Sequence, residues 1–565
     1  MKGEKFWQIE NPLSSQAEES LSVFPRVIRQ ILFNRGINNA SQATSYFKAD
    51  LPTETATNPI LGLQEAIQRI SYAIQHQESI VVYGDYDVDG VTSTALMTLA
   101  LEAMGAIVTP YIPNRFDEGY GLNIEAINAL KEDGTRLIIT VDCGIRSPAE
   151  IAHAGELGID TIISDHHHPA ESLPDALAII NPKQPGDTYP EKDLAGVGLA
   201  YKIVEALIPY MEANNIVLND FLDLVALGTV ADLAPLSGEN RALVKHGLEV
   251  IKTNQRQGLG SLMVVAGVKP EKISASDIGY TLGPRLNASG RLDSALASLN
   301  LLITNDVYVA GRLAQQLEVQ NRERQRITKD IQEMAESLAL RDNDDTRLLF
   351  AAHPEFNPGV VGLAASRLSE AYYLPAIVAH QGETETRGSC RSIKEFHITE
   401  ALDECQDLLV RHGGHAAAAG FTVENDKLPE LEQRLKHLAN EKLKDLDLRP
   451  TLVADAEIPL HDLKPELLPH LELIEPTGYG NRQPHFVSRD LFVDPHRTRT
   501  VGSDQSHLKM VVTDGLVTYD AIAFRQGYWI DRLPKKVDLL YTFEVNEFNG
   551  RRYLQLNVKD IKASR

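Results

Sequence analysis

Three aspartates at alternating positions are the clearest candidates for chemistry in this chain. Asp85, Asp87 and Asp89 follow the apolar run Ile80–Tyr83, and a helix is predicted to come next. Carboxylates held in so short a turn repel one another unless a cation neutralises them. The turn by itself is also typical of calcium loops, but Leu96 stands where an EF-hand requires a bidentate glutamate. The spacing therefore predicts a divalent cation site of another kind.

Further potential ligands follow other apolar runs, all predicted to be strands. They are Asp142 after Leu137–Val141, Asp165-His166-His167 after Thr161–Ser164, and Asp232 at the end of Gly228–Ala231. Oxygen ligands with an imidazole favour Mn²⁺ or Mg²⁺ over Zn²⁺ where no thiolate contributes. Such a set could hold two ions, which in two-metal sites lie about 3.5–4 Å apart and promote in-line phosphoryl displacement. A histidine pair alone is more often part of a surface or a core, but the whole set predicts a two-metal phosphoesterase.

The composition excludes several classes of protein. The chain has 565 residues, of which 43% are hydrophobic and 24% charged, as in an ordinary globular protein of several domains. It has no apolar run long enough for a membrane span, and residues 1–30 lack the pattern of a signal peptide. Its three cysteines are too few for a disulfide framework. A protein of a reducing compartment, the cytoplasm, is therefore expected.

The net charge of −23 is unevenly distributed along the chain. The overall acidity argues against a protein that coats nucleic acid by bulk charge. Residues 477–565, however, hold 14 Lys and Arg against 10 Asp and Glu, together with 11 of the 35 aromatic residues. Alternating polar and apolar residues and the turn Asn549-Gly550 predict strands in this tail. A small antiparallel barrel fits the pattern.

A parallel sheet is predicted to position the candidate ligands. Between about residues 61 and 235, strand-length apolar runs alternate with mostly helical patterns, which is typical of an α/β fold. The runs are Ser79–Tyr83, Ile107–Ile112, Leu137–Val141, Thr161–Ser164 and Ala178–Ile180. Such sheets bind ligands at the carboxyl ends of their strands, where the acidic residues of this chain fall.

The rest of the chain is predicted to surround this sheet with further domains. One long helix is predicted over 306–340, with arginines on its polar face, and a second αβ segment follows to about residue 440. The predicted boundaries are 1–60 for an N-terminal helical segment, 61–270 for the catalytic domain, 271–345 for a connecting region, 346–450 for the second αβ domain and 451–565 for the barrel.

Taken together, these motifs resemble the DHH phosphoesterase family, and within it the branch of single-strand-specific exonucleases. The resemblance extends from about residue 60 to the end of the chain. It rests on Tyr83–Gly90, Thr140–Gly144, Ser164–His167, Gly228–Asp232 and Gly413–Gly420, the last being similar to the glycine-rich signature of the DHHA1 domain. The implied α/β architecture is a parallel-sheet DHH catalytic domain joined by a long helix to a smaller αβ DHHA1 domain, plus a C-terminal OB-like β-barrel.

The resemblance implies an exonuclease that depends on Mn²⁺ or Mg²⁺ and degrades single-stranded DNA from 5′ to 3′. It would release 5′-mononucleotides in DNA repair and recombination. The implied metal ligands are Asp87, Asp89, Asp142, His166 and Asp232, with Asp85 as a further ligand or as a carboxylate behind them. His167 is implied to contact the phosphate or to protonate the leaving oxygen. Asp165 would orient a histidine.

Other residues are implied in handling the substrate. They are Arg115, Arg285, Asn287, Arg291, Ser389, Arg391 and His415. By position, Arg285 would meet the scissile phosphate, and Arg115 would bind the 5′-phosphate. Ser389 and Arg391 offer a hydroxyl and a guanidinium to the same anion. Salt bridges are the alternative role for the arginines, and packing is the alternative for His415.

One departure from the family pattern affects the second αβ domain. Phe356-Asn357 precedes Pro358-Gly359 where relatives often have Trp-His, so a phosphate or base contact is expected to differ there. Two other functions remain open, a phosphoesterase for small substrates and a scaffold without metals. The basic aromatic tail favours a long single strand, and the full ligand set favours an enzyme. A single-strand-binding protein and a helicase are candidate partners, because a strand must be unwound before it is degraded.

Overall fold

The computed structural model describes residues 4–52, 59–114, 118–119, 121–211, 216–253, 256–341, 346–548 and 551–564, without the side chains of residues 548 and 551. The chain forms two compact units. The first comprises Met1–Glu4, Glu54–Asp232 and Gly247–Pro450, and the second comprises Lys5–Thr53, Leu233–His246 and Thr451–Arg565. Of the helices in the described ranges, none combines the length and apolar character needed to cross a bilayer.

Strands and helices are numbered in chain order over the described residues. The strands are β1 (Phe6–Ile9), β2 (Ser79–Tyr83), β3 (Ile107–Tyr111), β4 (Leu137–Val141), β5 (Asp160–Ser164), β6 (Ala178–Ile180), β7 (Leu349–His353), β8 (Ala376–Gln381), β9 (Glu385–Arg391), β10 (Leu409–His415), β11 (Ala418–Glu424), β12 (Thr451–Ala454), β13 (Ala456–Glu457), β14 (Phe486–Val493), β15 (Arg499–Val501), β16 (His507–Thr513), β17 (Thr518–Ala523), β18 (Lys536–Phe548) and β19 (Arg551–Ala563). The α-helices are α1 (Ser15–Ser20), α2 (Arg26–Asn34), α3 (Ala40–Lys48), α4 (Leu63–Gln75), α5 (Val88–Ala103), α6 (Ile124–Glu132), α7 (Pro148–Glu156), α8 (Gly196–Leu207), α9 (Leu222–Ala231), α10 (Gly238–Thr253), α11 (Gln257–Ala266), α12 (Ala275–Asp277), α13 (Gly283–Leu292), α14 (Leu296–Ile303), α15 (Val307–Ala339), α16 (Val361–Tyr372), α17 (Ile398–Asp403), α18 (Leu428–Leu443) and α19 (Leu468–Glu472).

A five-stranded parallel sheet, of order β3-β2-β4-β5-β6, forms the centre of the first αβ domain of the first unit. β2, β4 and β5 are buried at almost every position, as expected for strands covered by helices on both faces. The predicted parallel sheet is therefore confirmed. Three of the five predicted strands have the predicted bounds, and the other two differ by one residue.

A second sheet and the long helix complete the first unit. The sheet has the order β10-β11-β9-β8-β7, in which β7 and β8 are parallel and the other pairs are antiparallel. The long helix, predicted over 306–340, is α15, and the side chain of its N-cap residue Asp306 accepts hydrogen bonds from the backbone N–H groups of the first turn. Its residue Ile331 is buried in the same apolar cluster as Val361 and Leu368 of α16. α15 therefore packs on the second αβ domain through apolar side chains.

The second unit is built around a mixed sheet of order β13-β14-β18-β19-β17-β16-β15, which an additional pairing of β14 with β16 closes. The predicted barrel is thus confirmed, although it is not purely antiparallel, because β13 pairs with β14 and β17 with β19 in parallel. Ile28 and Ile31 of α2 are buried in the same core as Phe486 and Tyr541 of the barrel. β1 also pairs in parallel with β12. Residues 5–53 therefore belong to the same unit as the barrel.

Candidate metal centre

The loop with three aspartates leads the chain from β2 into α5. Asp87 is the N-cap of α5, and its Oδ1 accepts hydrogen bonds from the backbone N–H groups of Asp89 and Gly90, at 2.9 and 3.1 Å. Glycine is needed at position 90, since a Cβ there would lie 2.5 Å from the carbonyl oxygen of Asp85. The start of the helix therefore fixes the backbone that carries all three carboxylates at the edge of the sheet.

Asp142 follows β4 at the same edge of the sheet. Its φ of 62° is left-handed, a conformation that aspartate tolerates better than most residues. The start of α8 lies against it, because a Cβ on Gly196 would be 2.8 Å from the Cβ of Asp142. The backbone N–H groups of Gly196 and Val197 donate to the two carboxylate oxygens of Asp89, at 2.7 and 2.9 Å. α8 thus positions two of the predicted ligands at once.

Asp232 reaches the site from a helix, so the prediction that it follows a strand is wrong. Leu222–Ala231 forms α9, and Asp232 is its C-cap residue. Every residue from Leu222 to Val230 is buried. A run that is buried on all sides has no periodicity by which a short helix can be distinguished from a buried strand. Asp232 nevertheless joins the cluster, with its Oδ2 at 3.7 Å from Nε2 of His166.

The six predicted metal ligands, together with His167, form overlapping sets. Ligand atoms lie within 4.8 Å of one another in each of three sets, which are Asp85 with Asp87 and Asp142, Asp89 with His166 and Asp232, and Asp142 with His166 and His167. Asp142 and His166 each belong to two of the sets. The arrangement therefore offers neighbouring positions for two ions with shared ligands, as in known two-metal sites.

Two donor atoms at the centre of the cluster fit a bound cation. Nε2 of His166 and Oδ1 of Asp142 are 3.1 Å apart, yet neither has a hydrogen-bond partner among the described residues. Both side chains are buried. A buried polar atom without a partner destabilises a fold by about 1–3 kcal/mol, and native proteins seldom retain one without a reason. A divalent ion would satisfy both atoms at once.

Burial and mutual repulsion oppose ionisation of the carboxyl groups. Burial, followed by the charges of Asp89 and Asp87, raises the pKa of Asp142 well above its usual range. The pKa of Asp89 is also raised well above its usual range, by burial first and then by the charges of Asp232 and Asp87. The pKa of Asp232 is raised to about 7, by burial first and then by Asp87. Burial lowers the pKa of His166 to about 3, which leaves the imidazole neutral. Metal binding requires neutral imidazole and ionised carboxylates, so a cation would offset the repulsion that raises these pKa values.

His167 is oriented by Asp165. Nδ1 of His167 donates to Oδ1 of Asp165 at 2.8 Å, and Oδ2 of Asp165 accepts from the backbone N–H of Ile145 at 3.0 Å. Burial opposes ionisation of Asp165, but its hydrogen bonds with His167 lower its pKa overall. Burial likewise opposes the charge on His167, but the hydrogen bond to Asp165 raises the pKa of the imidazole overall. Since Nδ1 carries a proton, His167 would exchange protons with a substrate at Nε2.

Two residues beyond those predicted hold the backbone of the histidine pair. Nδ2 of Asn181 donates to the carbonyl oxygen of His167 at 2.9 Å, and Nζ of Lys183 donates to that of His166 at 2.8 Å. Both residues follow β6, the parallel neighbour of β5. The sequence contained a signal for them, because they directly follow a predicted strand and so lie at the ligand-bearing edge of the sheet.

α13 brings predicted substrate-binding residues against the loop with three aspartates. A Cβ on Gly290 would lie 2.7 Å from the carbonyl oxygen of Tyr86, so the helix and the loop are in close contact. Nε of Arg285 donates to Oε2 of Glu318 at 2.7 Å, and its Nη1 donates to the carbonyl oxygen of Thr281, also at 2.7 Å. Arg285 therefore makes the salt bridge that was its alternative role.

The same helix also contacts the second αβ domain. Asn287 and Arg291 lie one turn apart on α13, and both are half-buried. Nη1 of Arg291 donates to the carbonyl oxygen of Gly359 at 3.4 Å. The side chain of Asn357, at the departure from the family pattern, accepts a hydrogen bond from the backbone N–H of Gly359 at 2.8 Å. Asn357 therefore stabilises the turn that α13 contacts.

The remaining predicted substrate residues differ in their surroundings. Ser389 and Arg391 lie on the same half-buried face of β9. The guanidinium of Arg391 donates to the carbonyl oxygen of Cys390 at 2.8 Å and makes no ion pair within the described ranges, which suits an anion from outside the chain. His415 is exposed at the end of the edge strand β10. Arg115 lies outside the described residues.

Comparisons with known proteins agree with this architecture. The model of the DHH family N-terminal domain matches residues 79–229, that of the DHHA1 domain matches 345–445, and that of the RecJ OB domain matches 454–560. The single-stranded-DNA-specific exonuclease RecJ of Bacillus subtilis is 36% identical over 565 residues, covering 99% of this chain and 71% of the relative. Its namesake in Escherichia coli is 36% identical over 561 residues, covering 95% of this chain and 96% of the relative. The crystal structure of RecJ in complex with Mn²⁺ from Thermus thermophilus superposes with a TM-score of 0.83 at 30% identity, covering 99% of this chain and 80% of that one.

Proposed function

Because the chain belongs to the RecJ family of DHH phosphoesterases, we propose that it is a single-stranded-DNA-specific exonuclease that hydrolyses phosphodiester bonds with two divalent metal ions. It works from the 5′ end and releases 5′-mononucleotides. Crystal structures of Thermus thermophilus RecJ contain Mn²⁺ or Mg²⁺. Both ions suit the carboxylate and imidazole donors found here.

The proposal rests above all on the overlapping ligand sets that share Asp142 and His166. Two ions bound there would supply an activated water and would stabilise the attacking and leaving oxygens of an in-line displacement. The chain holds the donors for this purpose before any ion binds. The start of α8 fixes Asp89, and Asn181 and Lys183 fix the backbone of the histidine pair.

His167 is the proton donor in this proposal. Hydrolysis forms a bond from the water oxygen to phosphorus, with one water proton lost to solvent, and breaks the bond from phosphorus to the 3′ oxygen of the terminal nucleotide, which is released. That 3′ oxygen takes a proton from Nε2 of His167, whose Nδ1 remains hydrogen-bonded to Asp165. The raised pKa of His167 supports this role, since it increases the protonated fraction near neutral pH.

Ser389 and Arg391 are proposed to bind the 5′-phosphate. A half-buried guanidinium without a carboxylate partner among the described residues is suited to a phosphate. Each cleavage leaves a new 5′-phosphate on the shortened strand, so the same two side chains would be used again after each turnover.

We extend the proposal to a cytoplasmic role in repair and recombination, with a single-strand-binding protein and a helicase as partners. Duplex DNA has to be unwound before a single-strand-specific enzyme can degrade it. Strand separation by a helicase would therefore supply the substrate.

Digestion of end-labelled DNA tests the proposed activity. The wild-type protein, with Mn²⁺ or Mg²⁺, should release labelled mononucleotides first from the 5′ end of single strands and should leave blunt duplexes intact. Asp142→Ala should be inactive, whereas Asp175→Ala, which changes an exposed aspartate of the same domain, should retain activity. Initiation at the 3′ end would overturn the direction, and equal digestion of duplexes would overturn the specificity.

A further inference from the structure

α15 packs against both α13 and α16, and a group of four arginines lies on these three helices. This arginine cluster consists of Arg285 on α13, Arg322 and Arg324 on α15, and Arg367 on α16. Glu318 is shared by two of its members. Its Oε2 accepts from Nε of Arg285 at 2.7 Å, and its Oε1 accepts from Nε of Arg322 at 2.6 Å. Arg324 and Arg367, the other two members, take no part in these salt bridges, although the chain as a whole is acidic, with a net charge of −23.

Arg324 and Arg367 are half-buried cations without carboxylate partners in the part of the chain that the structure describes. The guanidinium of Arg324 donates from Nε and Nη2 to one neutral acceptor, Oδ1 of Asn321, at 3.3 and 2.8 Å. Burial, followed by the positive charges of Arg367 and Arg285, lowers the pKa of Arg324. Like charges held together away from bulk water repel one another strongly, and an anion would relieve that repulsion.

The position of the cluster indicates which anion that would be. Arg285 precedes Gly290 on α13 by five residues, or about 7.5 Å of helix, and Gly290 contacts Tyr86 of the loop with three aspartates. On the other side, α16 begins next to the proposed 5′-phosphate site, because a Cβ on Gly362 would lie 3.3 Å from Nη2 of Arg391. The same helices that hold the cluster therefore border the reacting end of the strand.

We propose that Arg324 and Arg367 form an additional phosphate-binding subsite, which holds the backbone of the single strand beyond the nucleotide that is cleaved. The ligand is a phosphodiester group of the substrate, recognised by charge and by the forked geometry of guanidinium. A strand held at a second phosphate would keep its reacting end aligned with the metal centre after each mononucleotide leaves. This inference rests on the proposed exonuclease function, and it adds residues that act on long strands and not on short ones.

The test compares a long single strand with a 5′-phosphorylated dinucleotide as substrates of the full-length protein. For Arg324→Gln/Arg367→Gln, the KM of the long strand should rise about tenfold and the salt dependence of strand binding should become shallower by about 1.4 in log–log slope, since each contact to a single strand contributes about 0.7. The dinucleotide is too short to reach the subsite, so its KM should not change. The ratio of the KM of the long strand to that of the dinucleotide should therefore rise by about the same tenfold factor.

Arg326→Gln is the matched control, because Arg326 lies exposed on the same helix and pairs with Glu323 and Asp330 at 2.7 and 2.8 Å. It should alter neither KM nor slope. Arg324→Lys/Arg367→Lys should restore the slope, because the charges are retained. If the double glutamine variant does not fold, Arg367→Gln alone is used, since no hydrogen bond of Arg367 is found within the described ranges.

Equal rises in KM for the dinucleotide and the long strand would overturn the subsite, because they would place the arginines at the reacting end. An unchanged slope and KM ratio would overturn it as well. Failure of the wild-type protein to cleave any single strand would instead refute the proposed function. The log–log slope of strand affinity against salt concentration, measured on the same variants, would then decide by itself whether the subsite exists.

Discussion

Nε2 of His166 lies 3.1 Å from Oδ1 of Asp142, and neither atom has a hydrogen-bond partner among the described residues. The two atoms come from different strand ends and converge on one point. Such an arrangement leaves both polar atoms unsatisfied in the metal-free protein. It therefore predicts that folding stability and metal binding are linked, because an ion that binds only the folded chain stabilises it.

Asp142→Asn should separate stability from activity. It replaces a buried carboxyl group, whose ionisation is opposed by burial and by the neighbouring carboxylates, with a neutral amide, so the metal-free protein should unfold at a higher temperature than the wild type. A shared ligand is lost, and Mn²⁺-dependent cleavage should fall about a hundredfold or more, since each 1.36 kcal/mol of lost stabilisation is tenfold in rate. Thermal unfolding with and without Mn²⁺, and initial rates on a labelled strand, measure the two effects. A metal-induced shift as large as that of the wild type would contradict the assignment of Asp142.

Stabilisation by metal should increase with pH. Burial, and then Asp87, raises the pKa of Asp232 to about 7, which is above its value in the unfolded chain. A carboxyl group with a raised pKa favours the fold at low pH, and its contribution is lost as the pH rises through the folded-state pKa. Mg²⁺ binds the ionised form, so it should raise the unfolding temperature more at about pH 8 than at about pH 6. A shift that is the same at both pH values would refute the coupling.

Asp165→Asn should reduce kcat while leaving metal affinity nearly unchanged. The carboxylate of Asp165 contacts His167 at 2.8 Å and is not part of the ligand sets. Loss of such a supporting group lowers activity by about 10–100-fold. Without the carboxylate the pKa of His167 should fall, so the alkaline limb of the kcat profile should move to lower pH. Calorimetric titration with Mn²⁺ supplies the comparison, and a parallel loss of affinity would mean that Asp165 supports the ligands instead.

Gly196→Ala should disturb the metal centre through packing alone. The new Cβ would lie 2.8 Å from the Cβ of Asp142, so the aspartate or α8 has to move. Metal affinity should fall about tenfold or more, as it does when a ligand's supporting contact is lost. Gly155→Ala is the control, since a Cβ there meets nothing within 4 Å. In an exposed helix that change should stabilise the protein by about 0.5–1 kcal/mol. Equal metal affinity in the two variants would show that the contact with Asp142 is unimportant.

Ile31→Ala should destabilise the second unit by about 2–5 kcal/mol, because it leaves a cavity in a shared core. Ile31 is fully buried there, whereas Val23 is 73% exposed, so Val23→Ala should have little effect. The chain has two tryptophans, Trp7 and Trp529, and both lie in the second unit. Denaturation followed by tryptophan fluorescence therefore reports on that unit. A loss no greater than that of Val23→Ala would rule out a stabilising role for the N-terminal segment.

Much of the fold could be predicted because its signals are local. Leu137–Val141 is a short apolar run that ends in Asp142, and the observed strand has the predicted bounds. The run before Asp232 is also apolar, but it forms α9, since burial on all sides removes the periodicity that identifies a helix. The role of Arg285 could not be decided either, because its partner Glu318 lies 33 residues away along the chain.

The sequence by itself determined the chemistry of the centre, namely carboxylates and a histidine, all of which except Asp232 follow the strands of a parallel sheet whose carboxyl ends share one edge. It placed Asn181 and Lys183 at the same edge, but it did not determine which backbone groups they hold, nor that α8 holds Asp89 and contacts Asp142. It also contained no sign that residues 5–53 share a core with a barrel that begins near residue 451. Only the tertiary structure decided these points, because contacts between residues far apart in the chain leave no pattern in the local sequence.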